Sequence, residues 1–109
     1  MILLRVSYRV RAHQIGPFEG IFQQEILPLV REHRLKLAGI FKSKVGTVGE
    51  FIELWEFEDL QEFEELWPRL IGDPRLQDIF QRTGPMVEEE TFHLFEPAAG
   101  SSGFAEGFS

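Results

Sequence analysis

Tyr8, Glu53 and Trp55 bring a phenol, a carboxylate and an indole to this chain. A carboxylate among aromatic rings is costly to ionise, so its pKa rises and it can abstract a proton near neutrality. Beside a tyrosine and a tryptophan, such a group would line a pocket for a small aromatic or acyl ligand. The plainer reading pairs Glu53 with an arginine of a neighbouring strand and packs Trp55 into an interface, since cross-strand charge pairs are routine. His33 is the next candidate, because an imidazole titrates near neutral pH and can act as a base or a polar pocket group. The plainer reading, which the helix pattern favours, has it serve the free carbonyls of the last turn and the helix dipole.

The remaining polar groups point to less chemistry. Arg5, Arg9 and Arg11 could hold an anion. The economical alternative is pairing with Glu88, Glu89, Glu90 or Glu53. His13, His33 and His93 share no ligand spacing, so no metal is expected, and no motif calls for a cofactor. The chain has no cysteine, which excludes a disulfide scaffold, a thiol nucleophile and a thiolate metal site. GTVG, residues 46–49, is too short for a phosphate loop and is explained as a hairpin between strands.

The elements that must position these groups follow from periodicity. Residues 2–11 alternate strictly, with Ile2, Leu4, Val6, Tyr8 and Val10 on one face and Arg5, Ser7, Arg9 and Arg11 on the other, which is a strand. A turn is expected at Gly16–Pro17. Apolar residues at three- and four-residue spacing then predict a helix over about 17–34. Pro28 falls inside it, where it removes a backbone donor and clashes four residues back, so a kink or a fresh helical start is expected. Strands follow at about 36–45 and 50–57. Asp59 with Glu62 marks the start of a helix over about 59–71. Asp73–Pro74 opens a short helix, and residues 86–95 form a last strand.

The order βαββαβ is the ferredoxin-like plan, an α+β fold with a four-stranded antiparallel sheet and helices on one face. Strands one and three lie centrally and side by side. Whether Tyr8 and Glu53 share a face is left open by alternation alone. The face away from the helices should be polar, yet strands two, three and four carry apolar residues on both sides. Phe51, Trp55, Phe57 and Phe95 are therefore expected on the open face, covered by a second copy in a dimeric α+β barrel.

Composition sets the frame. A chain of 109 residues is one domain and can fold without a metal or a disulfide. Its net charge of −7 argues against nucleic acid as a partner. Residues 1–44 hold eight basic and three acidic residues, whereas 45–109 hold three and fifteen, so the halves are expected to pair. There is no signal peptide and no membrane span, which suggests a cytoplasmic protein. Abundant Glu and Arg without Asn fit a thermophilic bias. The domain is expected over 1–97, followed by a Gly/Ser-rich tail over 98–109.

The segment LPLVREHRLKLAGIF resembles the helix-end and second-strand signature of the NIPSNAP family, through Leu27, Pro28, Leu29, Arg31, His33, Leu37, Gly39 and Phe41. ELWEFEDL is similar to the family's third-strand segment through Leu54, Trp55, Phe57 and Leu60. DPRLQDIF matches through Asp73, Pro74 and Phe80, with Leu76 where the family has an aromatic, and Tyr8 matches a first-strand tyrosine. Val6 and Glu53 depart from the pattern, standing where the family often has Arg and His. The resemblance covers about residues 2–97 and implies a dimeric α+β barrel without implying a settled activity.

Three functions fit these readings. The first is a homodimeric module binding a small apolar or aromatic molecule, or another protein. The second is a cofactor-independent monooxygenase or isomerase. The third is a structural or regulatory partner without a ligand. A water-excluded cavity holding Glu53 or His33 beside aromatics would favour the second, a cavity without a titratable group the first, and a fully packed interior the third. The binding module is the reading that the sequence alone recommends.

Overall fold

The computed structural model describes residues 1–100, so most of the expected tail, 101–109, lies outside the described residues. Four strands form one antiparallel sheet: β1 (Ile2–Val10), β2 (Lys36–Lys42), β3 (Glu50–Phe57) and β4 (Val87–Phe95), in the order β2-β3-β1-β4. Helices α1 (Ile15–Ile21), α2 (Leu27–Glu32), α3 (Leu60–Ile71) and α4 (Pro74–Thr83) complete the α+β, ferredoxin-like arrangement. None of the described helices is long and apolar enough to cross a membrane.

The Gly16–Pro17 turn is absent. Pro17 lies in the first turn of α1, where a missing N–H leaves no intrahelical bond unmade. Pro28 is accommodated by the second expected route, a fresh helical start. A π-helical stretch, Phe22–Ile26, joins α1 to α2, and the N–H of Leu27 reaches back five residues to the carbonyl of Phe22. The wider turn puts Pro28 in the first turn of α2, free of a demand for its N–H. The helix then ends in a Schellman motif, with Leu35 N–H donating to Val30 O (3.1 Å) and Arg34 N–H to Arg31 O (3.0 Å). Arg34 occupies the left-handed position at φ 61°, where glycine is usual.

The registers settle which residues share a face. Leu4 opposes Trp55, Val6 opposes Glu53 and Tyr8 opposes Phe51, and all six point toward the helices. The hairpin to β3 closes against β1, where Val10 N–H donates to Gly49 O at 2.7 Å. Gly49, at φ 83°, is required there, because a Cβ would lie 1.9 Å from the carbonyl oxygen of Val10.

Here the expected interface needs correction. Phe51, Trp55 and Phe57 are buried beneath the helices, 1–2 % exposed, and not on the open face. The helices offer them aromatic partners: Trp67 meets Trp55 edge to face at 5.2 Å, Phe63 meets Phe57 at 5.2 Å and Phe18 meets Phe51 at 5.3 Å. Large rings bury more apolar area than Ile52 or Leu54, so the aromatic side of β3 takes the covered face. Of the four expected residues, only Phe95 stands on the open face, opposite Leu3. Leu3, Phe41, Ile52 and Leu54 join it there.

Two irregularities shape the sheet edges. β2 shifts register between Leu37 and Gly39, so Leu37 and Ile40 both face the helices. β4 shifts opposite Ser7 and Arg9, with Glu89 at φ 55°. That bulge leaves Val87, Glu90 and Phe92 together on the helix side.

Candidate functional site

Tyr8 and Glu53 sit diagonally across the β1–β3 pair, a spacing within reach of long side chains. The Tyr8 hydroxyl donates to Glu53 Oε2 at 2.5 Å. Trp55 follows Glu53 by two residues on the same strand face, and its Nε1–H donates to Glu53 Oε1 at 3.0 Å. The carboxylate thus holds one donor on each oxygen, and among the described residues no arginine pairs with it. Arg5 and Arg9 of β1 lie on the opposite face. Arg9 pairs with Glu88 and Glu89, and Arg11, just past the strand, with Glu88, as the charge division between the halves suggested. Arg5 pairs with no glutamate among the described residues and lies 5.1 Å over the Phe95 ring.

Glu53 is 8 % exposed, in a setting of rings and aliphatic chains. Burial pushes its carboxyl up to about 7, against the opposing pull of the bonds from Tyr8 and Trp55. The same burial, together with the neighbouring Glu53 charge, raises the Tyr8 phenol well above its ordinary range, so it remains a proton donor. Tyr8 itself is fixed by Phe51, stacked at 5.7 Å, and by Phe18, edge-on at 5.6 Å.

These groups floor a cavity of about 420 Å³ between the sheet and the helices. Trp67, Leu70, Ile71 and Leu76 form its roof, and Thr83, Val87, Glu90 and Phe92 flank it on the β4 side. The size and apolar character suit one small organic molecule. Glu90, which the sequence suggested as a charge partner for the arginines, instead lines this cavity. A left-handed residue inside an edge strand is the feature that redirects it, and the string of three glutamates gave no sign of that bulge.

His33 is elsewhere. It is the C-cap of α2, and its Nε2 lies 2.8 Å from Asp73 Oδ2. Asp73 caps α4 by accepting from Arg75 N–H at 2.8 Å, and the Arg75 guanidinium bonds both Asp73 and Glu32. The Arg75 and His33 bonds hold the Asp73 carboxyl well below the usual range. His33 therefore ties two helix ends through a buried carboxylate, instead of meeting carbonyls of its own last turn. It does not line the cavity.

The fold and site define a ferredoxin-like α+β domain with a carboxylate-floored cavity beneath its helices. The family model for NIPSNAP matches residues 3–102, and the chain belongs to the NIPSNAP family. An uncharacterised NIPSNAP domain protein from Burkholderia xenovorans is similar at 26 % identity and TM-score 0.82, over 92 % of this chain and 97 % of that one. A protein from Agrobacterium tumefaciens shares the fold at 24 % identity and TM-score 0.84, over 94 % and 98 %. An antibiotic biosynthesis monooxygenase shares it at 14 % identity and TM-score 0.70, over 90 % and 99 %. No curated protein matches the chain.

Proposed function

We propose that the chain is a small general-base enzyme acting on a compact, mostly apolar substrate, with Glu53 as the base. The observation that carries this is a titratable carboxylate, held by Tyr8 and Trp55 and poised at about 7, on the floor of an apolar cavity. A base is most effective when its pKa lies near the working pH. Each oxygen of the carboxylate carries one internal donor and can accept another, so both bonds can persist during proton transfer. The reaction class is proton abstraction beside a carbonyl or an equivalent electron sink. The C–H bond breaks, its electron pair stays on the substrate as an enolate, and the proton on Glu53 returns to another carbon. The net result is an isomerisation.

Deuterium exchange into a panel of small carbon acids, followed by NMR, tests this reading. The wild type should catalyse exchange of at least one member, with a rate that rises through about pH 7. Glu53→Gln should lose that exchange. Equal exchange by both proteins, or none across the panel, refutes the assignment.

The working form in this proposal is a homodimer joined through the open sheet faces. Leu3, Phe41, Ile52, Leu54 and Phe95 make that face apolar, and Phe41 and Phe95 are 56 % and 43 % exposed. Arg5 Nε and Glu56 Oε2 lie on the same face, buried and without a hydrogen-bond partner among the described residues. A two-fold axis through this face lets residue i meet j and j meet i, so one self-complementary apolar patch closes the assembly.

A further inference from the structure

The charge of the cavity selects among substrates. Its titratable lining consists of Tyr8, Glu53 and Glu90; among the described residues no Lys, Arg or His lines it. On β4 the neighbouring glutamates are neutralised, Glu88 by Arg9 and Arg11 and Glu89 by Arg9. Glu90 is not: it has no hydrogen-bond or ion-pair partner among the described residues, and the bulge at Glu89 turns it to the cavity side of the strand. Of the other fourteen lining residues six are aromatic, including Trp55, Trp67 and Phe92. Ring faces attract cations and repel anions, so wall and carboxylates act in the same sense. Glu53 is buried, whereas Glu90 is exposed on β4 where it borders the cavity. A carboxylate or phosphate ligand would meet two acidic groups on its way to an apolar interior with no counter-charge among the described lining residues, which is unfavourable.

We infer that the cavity takes a compact amine, with an apolar body over Glu53 and a protonated amino group held at Glu90. This rests on the reading of Glu53 as the base and adds a regulatory feature to it. Glu53 and Glu90 sense each other's charge. An ammonium held at Glu90 offsets that repulsion and favours the ionised form of Glu53. The substrate thereby switches on its own base, and neutral molecules of similar shape do so less well.

Three probes of similar size test the inference: 2-phenylethylamine, 2-phenylethanol and phenylacetate. Binding is read from the emission of Trp55 and Trp67 and from the shift in Tm. The amine should bind at least about tenfold tighter than the alcohol, and phenylacetate should not bind. Added salt should weaken the amine and leave the alcohol unchanged. Glu90→Gln should cut the preference for the amine to about twofold or less, with the alcohol unaffected. Glu53→Gln should keep a preference for the amine, which separates this inference from the fate of the general-base reading. Equal binding of amine and alcohol, binding of phenylacetate, or no binding of any probe at millimolar concentration overturns the inference.

Discussion

Replacing Glu53 with Gln should make the protein more stable, increasingly so as pH rises. The folded carboxyl sits at about 7 against an ordinary 4.5, because burial disfavours its charge. Below about pH 4.5 the folded and unfolded chains both hold the proton, and no penalty exists. Between about 4.5 and 7 the unfolded chain releases a proton that the folded chain keeps. Unfolding then loses a proton, and stability falls as pH rises. Above about 7 the folded carboxyl is ionised too, and the penalty reaches its plateau. A span from 4.5 to about 7 corresponds to about 3 kcal/mol, at about 1.4 kcal/mol per pH unit. Gln keeps the shape and does not titrate. Its oxygen accepts from Trp55, and its amide donates to the Tyr8 hydroxyl. The difference between variant and wild type should therefore grow from near zero at about pH 4 to about 3 kcal/mol at about pH 8. Urea unfolding followed by tryptophan emission, at fixed protein concentration and a series of pH values, measures it. A difference that is flat with pH would show a carboxyl unshifted on folding, and one that favours the wild type at high pH would show Glu53 ionised and stabilised in the folded state. Either result would refute the account of the site.

Three other outcomes are expected. Arg34→Gly should stabilise the fold by about 1 kcal/mol in the same assay, because Arg34 holds the left-handed position at φ 61° that glycine adopts without strain. Asp73→Ala should lower Tm, since it removes the cap of α4 and leaves His33 and Arg75 without their shared acceptor. The depressed Asp73 carboxyl stabilises the fold above its ordinary pKa, and that support fades as pH falls through the folded value, so the Tm gap should close in strong acid. Leu54→Glu places a charge in the middle of the open face, and sedimentation should show a dimeric wild type and a monomeric variant; a wild type that sediments as a monomer refutes the sheet-to-sheet assembly.

The chain announces its elements through local rules. Strict alternation fixes β1, and Asp59 and Asp73 cap α3 and α4 as their side chains suggest, because capping needs only neighbours a few residues away. The order of elements and the family resemblance likewise follow from the sequence, as does the pairing of Arg9 and Arg11 with Glu88 and Glu89, though Arg5 turns to the Phe95 ring instead of a glutamate. Alternation divides each strand into two faces without saying which one the helices cover. That choice placed Phe51, Trp55 and Phe57 in the core and Leu54 outside, and it rests on how much area α1 and α3 bury against either side. Glu53 follows the rings inward because it sits between Phe51 and Trp55 on one strand. Its bond to Tyr8 needs the register between β1 and β3, a contact across 45 residues. Glu90 needs a bulge, which comes from strand pairing and leaves no mark in a run of glutamates. The sequence by itself determined which groups were available for chemistry, and the tertiary structure decided which of them lose their water together.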